Sequence, residues 1–357
     1  AAIIVNDSVI WSNGFGYADK LNKVPMTTNT VVNMGSITKT FTSLSVMQLQ
    51  QRGSLNINDP LNSYLTDFRP KTKNIDIRDI TIRSVLTHTS GIQPDIWKNS
   101  DLRSGKYTDV LGYINNTYIT YPPGMVGLYS NAGYNILGSL VKAVSKQDYA
   151  DYVHQNIFDP LGMSRSGFAM DGLKYRSKIY LGGNEVEEYE LRDIASGGIY
   201  TNINDFSKYA IELMKAYNGE SSSIIDSPTI REMFSLQNQN VPIESNKKGL
   251  GWFMFKNDSN FAVYHAGSAG FAQAKLLLIP KSKFAVIVMT NSTEGGAIAE
   301  EFCFSFLNRY QLSISDLFPA PITGKIHSSS TPIRLSRHSL KRYLGNYAQE
   351  EGYIKVI

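Results

Sequence analysis

Apolar residues form short strand-like runs near both ends of the chain and recur at helical spacing between them. Runs at 2–5 and 9–11 flank an Asn-Asp turn and predict a β-hairpin. Further runs in the last third of the chain are separated by turn residues and predict an antiparallel sheet, which the hairpin would extend. These later strands are predicted at 250–255, 262–265, 273–279 and 284–290.

The region between these strands has the pattern of helices. Apolar residues recur at intervals of three and four, with capping residues before them and Gly or Pro after them. Asp59 and Pro60 are predicted as the N-cap and first residue of one helix. A helix with Ser36 in its first turn is predicted to end at Gly53. Other helices are predicted at 60–64, 81–87, 110–114, 132–144, 148–157, 204–216 and 297–307. A Gly-rich loop is predicted at 195–201, and polar irregular or extended segments are predicted from 92 and at 180–190.

The order of strands, helices, strands and a closing helix predicts an α+β fold. An antiparallel sheet from the N- and C-terminal strands would be flanked by helices in an α/β sandwich, with a mostly helical region inserted at about 55–190. One domain is predicted for 1–318 and a linker for 319–342, where Ser, Thr and Pro cluster. Residues 343–357 are interpreted as the start of a truncated C-terminal β domain.

Composition narrows the choice of partners. The 357 residues are 42% hydrophobic and 11% aromatic, which is typical of a globular protein. A net charge of +4 without a long basic run argues against nucleic acid as a partner. The single cysteine, Cys303, excludes an intrachain disulfide and is predicted to be a small core residue. No apolar run has the roughly 20 residues that a membrane span needs.

Ser36 and Lys39 are the first candidates for chemistry. The start of a helix leaves backbone N–H groups without intrahelical partners and carries the positive end of the helix dipole. Lys39 follows Ser36 by three residues and therefore lies on the same face of the predicted helix. If burial lowered its pKa, the Lys39 amine would be a base for the serine hydroxyl. A capping serine beside a solvated lysine is the alternative for this tetrapeptide taken alone.

Tyr129 and Asn131 follow a Pro-Pro-Gly break and precede a predicted helix. Tyr129 would lie on a loop that can point into a cleft. A nearby lysine ammonium would favour its phenolate and make it a second candidate proton carrier. Asn131 offers an amide that can bind a substrate carbonyl together with the lysine. A packed tyrosine and an N-cap asparagine are the alternative.

His265, Gly267 and Ser268 end a predicted strand. Gly267 would let the backbone approach a ligand closely, and the Ser268 N–H could face that of Ser36 in an oxyanion hole. Gly198 belongs to the predicted Gly-rich loop, which would line the cleft opposite the helical region. An ordinary strand end and a flexible loop are the alternatives for these two segments.

Other catalytic arrangements fit the sequence less well. No two histidines have metal-ligand spacing and there is no cysteine pair, which argues against a zinc site. No Gly-x-Ser-x-Gly elbow occurs. His88 precedes Thr-Ser-Gly at the end of a predicted helix, where a structural turn is a better interpretation than a triad base.

The ordered set of motifs resembles the serine β-lactamase and penicillin-binding protein superfamily, in its class C β-lactamase and D-Ala-D-Ala carboxypeptidase branch. The segment 36–39 matches the Ser-x-x-Lys motif, 129–131 matches Tyr-x-Asn, and 265–267 stands where the family has Lys-Thr-Gly or His-x-Gly. Further landmarks are Leu-Thr-His-Thr-Ser-Gly at 86–91, Pro-Leu-Gly-Met at 160–163 and Gly-Gly-Ile-Tyr at 197–200. The motifs follow the family's order over about residues 1–310.

The resemblance implies a role for each candidate. Ser36 would be the acylated nucleophile, with Lys39 and Tyr129 sharing the proton transfers. Backbone N–H groups of Ser36 and Ser268 would hold the oxyanion, and Asn131 would position the substrate amide. Acyl transfer through a covalent ester requires no metal or organic cofactor. The predicted substrate-binding and oxyanion set is Asn131, His265, Gly267, Ser268 and Gly198.

One departure from the family pattern concerns substrate choice, because His265 replaces the lysine of the third motif. An imidazole is mostly neutral at pH 7, so a substrate carboxylate would lack a fixed cation there. We therefore predict a serine hydrolase acting on D-amino-acid peptides, amides or esters. A class C-like β-lactamase is one alternative, and a non-catalytic hydrolase-like binding or scaffold protein is an alternative of another class.

The predicted partners are small-molecule or peptide substrates, including peptidoglycan-derived peptides and β-lactams. An exported protein, periplasmic or extracellular, at the bacterial envelope is favoured. The chain shows no signal peptide and no initiator Met. A membrane anchor outside this chain and a cytoplasmic location both stay open, as does the oligomeric state.

Overall fold

The computed structural model describes residues 1–101 and 105–318, together with the backbone of two strands beyond residue 344. The predicted linker at 319–342 lies outside the described residues, and the C-terminal β domain stays a prediction. The strands are β1 Ala2–Val5, β2 Ser8–Ser12, β3 Tyr17–Asp19, β4 Val24–Pro25, β5 Val32–Asn33, β6 Ile179–Leu181, β7 Asn184–Val186, β8 Tyr200–Thr201, β9 Phe253–Lys256, β10 Phe261–Ala269, β11 Ala272–Ile279, β12 Phe284–Thr290, β13 Gly345–Gln349 and β14 Gly352–Val356.

The main sheet joins the amino-terminal hairpin to the strands of the last third of the chain. Its order is β2-β1-β12-β11-β10-β9, and every neighbouring pair is antiparallel. Ile4 of β1 lies opposite Ala285 of β12, and His265 of β10 lies opposite Leu276 of β11. The predicted hairpin, the later strands and their common sheet are therefore confirmed, although β9 begins only at Phe253.

Helices occupy the middle of the chain and flank the sheet, as predicted. Within the described ranges, none of them is long and apolar enough to cross a membrane. A single 3₁₀ turn, Gly35–Ile37, leads into the first helix. The α-helices are α1 Thr38–Gln51, α2 Ile82–Leu86, α3 Asp109–Ile114, α4 Asn131–Ser145, α5 Tyr149–Val153, α6 Asp159–Leu161, α7 Ile194–Gly197, α8 Ile203–Tyr217, α9 Ser227–Met233 and α10 Gly295–Phe304.

The sheet has a hydrophobic core on each face. One face packs against α8 and contributes Ile4 and Leu276 to the core that also surrounds α1. The other face packs against α10 and includes Tyr264 and the buried Cys303. Each fully buried side chain of this size contributes about 1.5–3 kcal/mol relative to an exposed one. The predicted sandwich and the core position of Cys303 are confirmed.

The central helix α1 is buried along most of its length although many of its residues are Ser or Thr. Its hydroxyl groups have partners: Thr42 Oγ1 donates to the Ala195 carbonyl at 2.6 Å, and Ser43 Oγ lies 3.1 Å from the Tyr134 hydroxyl. A buried hydroxyl without such a partner would cost about 1–3 kcal/mol. These contacts hold a polar helix in the core and fix the position of its amino-terminal end.

Several short elements differ from the sequence prediction. The helix predicted from Pro60 is a single 3₁₀ turn, Leu61–Ser63, and Asp59 accepts a hydrogen bond from Tyr64 instead of capping it. The helix predicted at 148–157 changes to a π-helical turn at His154–Phe158, and α9 was not predicted. The predicted Gly-rich loop at 195–201 is α7 followed by β8. Such short elements depend on tertiary contacts that local periodicity does not record.

Candidate active site

Ser36 lies in the 3₁₀ turn that leads into α1, just before the helix in which it was predicted. The preceding Gly35 has a φ of +54°, and a Cβ there would come within 2.6 Å of the Ser268 backbone nitrogen. Conformation and space therefore both favour glycine at this position. The turn packs directly against β10, and Ser36 itself is partly exposed.

Lys39 is fully buried, and its Nζ lies 3.0 Å from Ser36 Oγ. Nζ also donates to the Ser196 carbonyl at 2.7 Å. Burial lowers the pKa of Lys39 to about 7, and the carboxylates of Asp95 and Asp193 oppose this shift only in part. A substantial fraction of the Lys39 amine is therefore unprotonated near neutral pH, as a base for Ser36 requires.

Tyr129 contacts both of these residues. Its ring centroid lies 4.8 Å from Lys39 Nζ, and the Ser36 side chain is near enough to its hydroxyl group to affect the pKa of Tyr129. The prediction that a nearby ammonium favours the phenolate is wrong, because burial raises the pKa of Tyr129 well above its usual range. Lys39, itself only partly protonated, supplies too little positive charge to offset that burial. Tyr129 is therefore a neutral phenol that can donate a proton.

His88 packs against the loop that carries Tyr129 and Ser130. Its Nδ1 accepts a hydrogen bond from the Ser130 N–H at 3.0 Å, and its ring centroid lies 4.4 Å from that of Tyr129. Burial lowers the pKa of His88 well below its usual value, so the ring is neutral and keeps the lone pair that Ser130 uses. These contacts agree with the structural role expected for His88.

Asn131 is the first residue of α4, but Ser130 is the N-cap, because Ser130 Oγ accepts from the Gly133 N–H at 2.8 Å. The Asn131 side chain does not cap the helix, and its Nδ2 donates to Asp95 Oδ1 at 2.8 Å. Asp95 was missed by the sequence analysis. It lies in an irregular segment where neither periodicity nor a motif marks it.

His265 lies on β10, on the same sheet face as Leu276 and α1. Its Nδ1–H donates to the Ala266 carbonyl at 2.6 Å, which leaves a lone pair on Nε2. Burial, with a smaller contribution from the charge of Lys39, lowers the pKa of His265 to about 3. The expectation of a neutral imidazole at pH 7 is confirmed.

Gly267 brings β10 against the Ser36 turn. A Cβ on Gly267 would lie 1.9 Å from the Met34 carbonyl oxygen and 3.1 Å from the Ile37 nitrogen. The close approach predicted for Gly267 is present, although its partner is the chain's own turn. Ser268 Oγ accepts a hydrogen bond from Gln273 Nε2 at 2.9 Å, so its side chain is engaged with β11 while its main chain packs on Gly35.

Gly198 does not lie in a loop, so that part of the prediction is wrong, while its role in lining the cleft stays a prediction. It is buried at the end of α7, where its N–H donates to the Ile194 carbonyl at 3.1 Å. A Cβ on Gly198 would lie 2.6 Å from Ile194 Cα, so the glycine serves close packing. The residue of this segment that reaches the site is Ser196, through the carbonyl bound to Lys39.

Arg192 and Asp193 form a buried ion pair beside the site that no sequence motif marks. Arg192 Nε donates to Asp193 Oδ1 at 2.5 Å, and its two terminal nitrogens donate to the carbonyls of Lys98 and Ile96 at 2.6 and 2.8 Å. Burial raises the pKa of Asp193, and Arg192 opposes that shift. Because the two charges largely cancel, Asp193 acts on Lys39 with only part of its charge.

A buried lysine beside a serine at a helix entrance, packed against an antiparallel sheet, defines a class of serine hydrolases that includes β-lactamases and penicillin-binding proteins. The family comparison agrees. The chain belongs to the Beta-lactamase family, whose model matches residues 1–301.

Individual relatives are distant. Protein flp of Staphylococcus aureus (strain NCTC 8325 / PS 47) is 28% identical over 300 residues, covering 81% of this chain and 58% of that protein. This chain therefore spans little more than half the length of that relative.

Solved structures support the fold. The octameric penicillin-binding protein homologue from Pyrococcus abyssi matches with a TM-score of 0.75 at 26% identity, covering 89% of this chain and 74% of that one. A β-lactamase/D-alanine carboxypeptidase from Yersinia pestis, complexed with citrate, matches with a TM-score of 0.68 at 21% identity, covering 82% and 86%.

Proposed function

We propose that this protein hydrolyses D-amino-acid peptides, amides or esters through an acyl-enzyme on Ser36. The observation that carries the proposal is the 3.0 Å contact between Ser36 Oγ and the amine of Lys39, whose pKa is lowered to about 7. The neighbouring Tyr129 phenol supplies a second proton carrier. Membership of the Beta-lactamase family and the likeness to the Yersinia pestis enzyme support the same chemistry.

Acylation follows from this arrangement. The unprotonated Lys39 amine accepts the Ser36 hydroxyl proton as Oγ attacks the substrate carbonyl carbon. Backbone N–H groups of Ser36 and Ser268 stabilise the oxyanion that forms. Tyr129 donates its proton to the leaving nitrogen or oxygen and recovers one from Lys39. The bond to the leaving group breaks, and an amine or alcohol departs from the Ser36 ester.

Deacylation reverses the proton path. Water attacks the ester carbonyl and gives its proton to the Lys39 and Tyr129 pair, and the same pair returns a proton to Ser36 Oγ as the C–O bond breaks. The net reaction consumes one water and releases a carboxylic acid with an amine or alcohol. Each proton transfer in these steps therefore has a donor and an acceptor among this chain's residues, the substrate and water.

The neutral His265 argues against efficient β-lactam hydrolysis by this protein. The carboxylate of a β-lactam gains most from a cation at the third motif, and an imidazole whose pKa is about 3 carries no charge at neutral pH. We therefore place penicillins among the compounds that acylate Ser36 and are released slowly. The proposed setting is the bacterial envelope, with peptidoglycan-derived peptides as one natural source of substrate.

Covalent labelling tests the proposal. A fluorescent penicillin and a fluorophosphonate should each label the protein, with the added mass mapped to Ser36 by peptide mass spectrometry. Ser36→Ala should abolish labelling, whereas Ser305→Ala, which removes an exposed hydroxyl at the end of α10, should label like the parent. Labelling that survives Ser36→Ala, or that no probe achieves, would contradict the proposal and favour a binding or scaffold protein.

A further inference from the structure

Asp95 places a carboxylate beside the reacting groups. Asp95 Oδ1 accepts a hydrogen bond from Asn131 Nδ2 at 2.8 Å, and the residue is partly exposed. Its charge acts on both Lys39 and Tyr129, so it lies within Coulomb range of the reacting atoms. A charged group on a substrate bound at Ser36 would therefore be subject to the charge of this carboxylate.

The contact with Asp95 also fixes the orientation of the Asn131 amide. An ionised carboxylate only accepts hydrogen bonds, so the NH₂ group of Asn131 must face it. The amide oxygen of Asn131 is then turned away from Asp95 and is available as an acceptor. Asp95 Oδ2 has no hydrogen-bond partner among residues 1–101 and 105–318. Asp95 and Asn131 thus present acceptors to a ligand.

The other charges near the site do not offset this carboxylate. Lys39 is only partly protonated at neutral pH, and both carboxylates that act on it, those of Asp95 and Asp193, are negative. The Arg192 guanidinium is bound to Asp193 and to backbone carbonyls. His265 is uncharged. The ammonium groups of Lys248 and Lys275 act on His88 and His265, but they form ion pairs with Glu244 and Glu300. When Lys39 is in its basic form, the charged groups named here therefore sum to a net negative charge.

We infer that Asp95 and the Asn131 amide oxygen form a subsite for a protonated amine, so that the preferred substrates are amides and esters of amino acids with a free α-amine. An ammonium group has three hydrogen-bond donors and no acceptor. It therefore matches a site with two acceptors, the charged Asp95 carboxylate and the neutral Asn131 amide oxygen. This inference rests on the proposed function and specifies its substrate class. It disfavours N-acylated substrates and substrates with a carboxylate at this position.

Matched substrate pairs test the inference on the parent protein. We would compare kcat/KM for alanine p-nitroanilide with that for its N-acetyl derivative, in both D and L forms, at about pH 7. The free amine should be preferred by about 10-fold or more, the scale of one charge-assisted hydrogen bond. The preference should shrink above about pH 8, where an α-amine loses its proton. An equal or reversed preference would overturn the inference.

Substitution of the carboxylate tests it independently. Asp95→Asn keeps the size of the side chain and should reduce the preference for the free amine by about 10-fold. Asp258→Asn removes an exposed carboxylate elsewhere and should keep the preference. A preference that survives in Asp95→Asn would also overturn the inference. Fluorophosphonate labelling of Ser36 is measured in each protein, because its loss in the parent would indicate failure of the proposed function rather than of the amine subsite.

Discussion

Burial affects Lys39 on α1 and His265 on β10 in the same way, but it leaves the two side chains with different protonation behaviour near neutral pH. Burial lowers the pKa of Lys39 from 10.5 to about 7 and that of His265 from 6.5 to about 3. The shifts are similar, but the starting values differ. Lys39 therefore titrates near neutral pH, while His265 stays uncharged across the physiological range. Burial makes a base on the helix and a neutral hydrogen-bonding group on the sheet.

The two residues also differ in their partners. Lys39 Nζ donates to Ser36 Oγ and to the Ser196 carbonyl, so its position is fixed by the nucleophile's own helix and by α7. His265 Nδ1 is satisfied by the adjacent Ala266 carbonyl, and its ring packs 5.4 Å from that of Phe253. In the proposed mechanism, the helix side of the site would move protons and the sheet side would supply a fixed surface for the substrate.

Removing the base should have the largest effect. Lys39→Met keeps the length and apolar stem of the side chain but removes the amine, and we expect the rate of Ser36 acylation by a fluorophosphonate to fall by about 10²–10⁴-fold, the range for loss of a general base. Lys281→Met removes an exposed lysine and should leave the rate within about two-fold of the parent. Labelling kinetics followed by gel fluorescence measure both. A near-parental rate in Lys39→Met would refute its role.

Replacing His265, on the sheet side of the site, should mainly change the free energy of unfolding at acidic pH. His265 has a folded-state pKa of about 3 against 6.5 in the unfolded chain, so the unfolded state binds more protons below about pH 6.5 and folding is weakened as pH falls. In His265→Gln, urea unfolding should show a loss of stability between about pH 7 and about pH 5 that is smaller than the parent's by ~2 kcal/mol.

His154 provides a control of opposite sign for that experiment. Its hydrogen bond with Asp171 raises the pKa of His154, so its contribution to stability is present at low pH and is lost as pH rises. His154→Gln should therefore lose more stability than the parent on acidification. Equal losses in the parent and His265→Gln would show that the imidazole of His265 is not held neutral by burial.

Much of the fold could be predicted because it is recorded in local patterns. Alternation and helical spacing located the strands of the main sheet and the longer helices, including α4 and α8. The spacing of Ser36 and Lys39 placed both side chains on one face, and their 3.0 Å contact agrees with that prediction. Short elements such as α7 were missed, because four residues carry no measurable period.

The parts of the site that escaped prediction depend on burial and on distant contacts. The neutral state of Tyr129 follows from desolvation, which a sequence does not display. Asp95 and Asn131 are 36 residues apart, and Arg192 reaches carbonyls 94 and 96 residues away. Neither contact follows a motif, so only the folded chain brings these groups together.

The pH dependence of Ser36 acylation tests the central claim most directly. A fluorophosphonate has no titrating group, so its second-order rate constant reports the state of the protein between about pH 5 and about pH 9. Because acylation needs the unprotonated Lys39 amine, the rate should rise with pH and level off with an apparent pKa of about 7. A flat profile, or a rate that still rises tenfold per pH unit at about pH 9, as an ordinary lysine pKa of about 10.4 would give, would contradict the account.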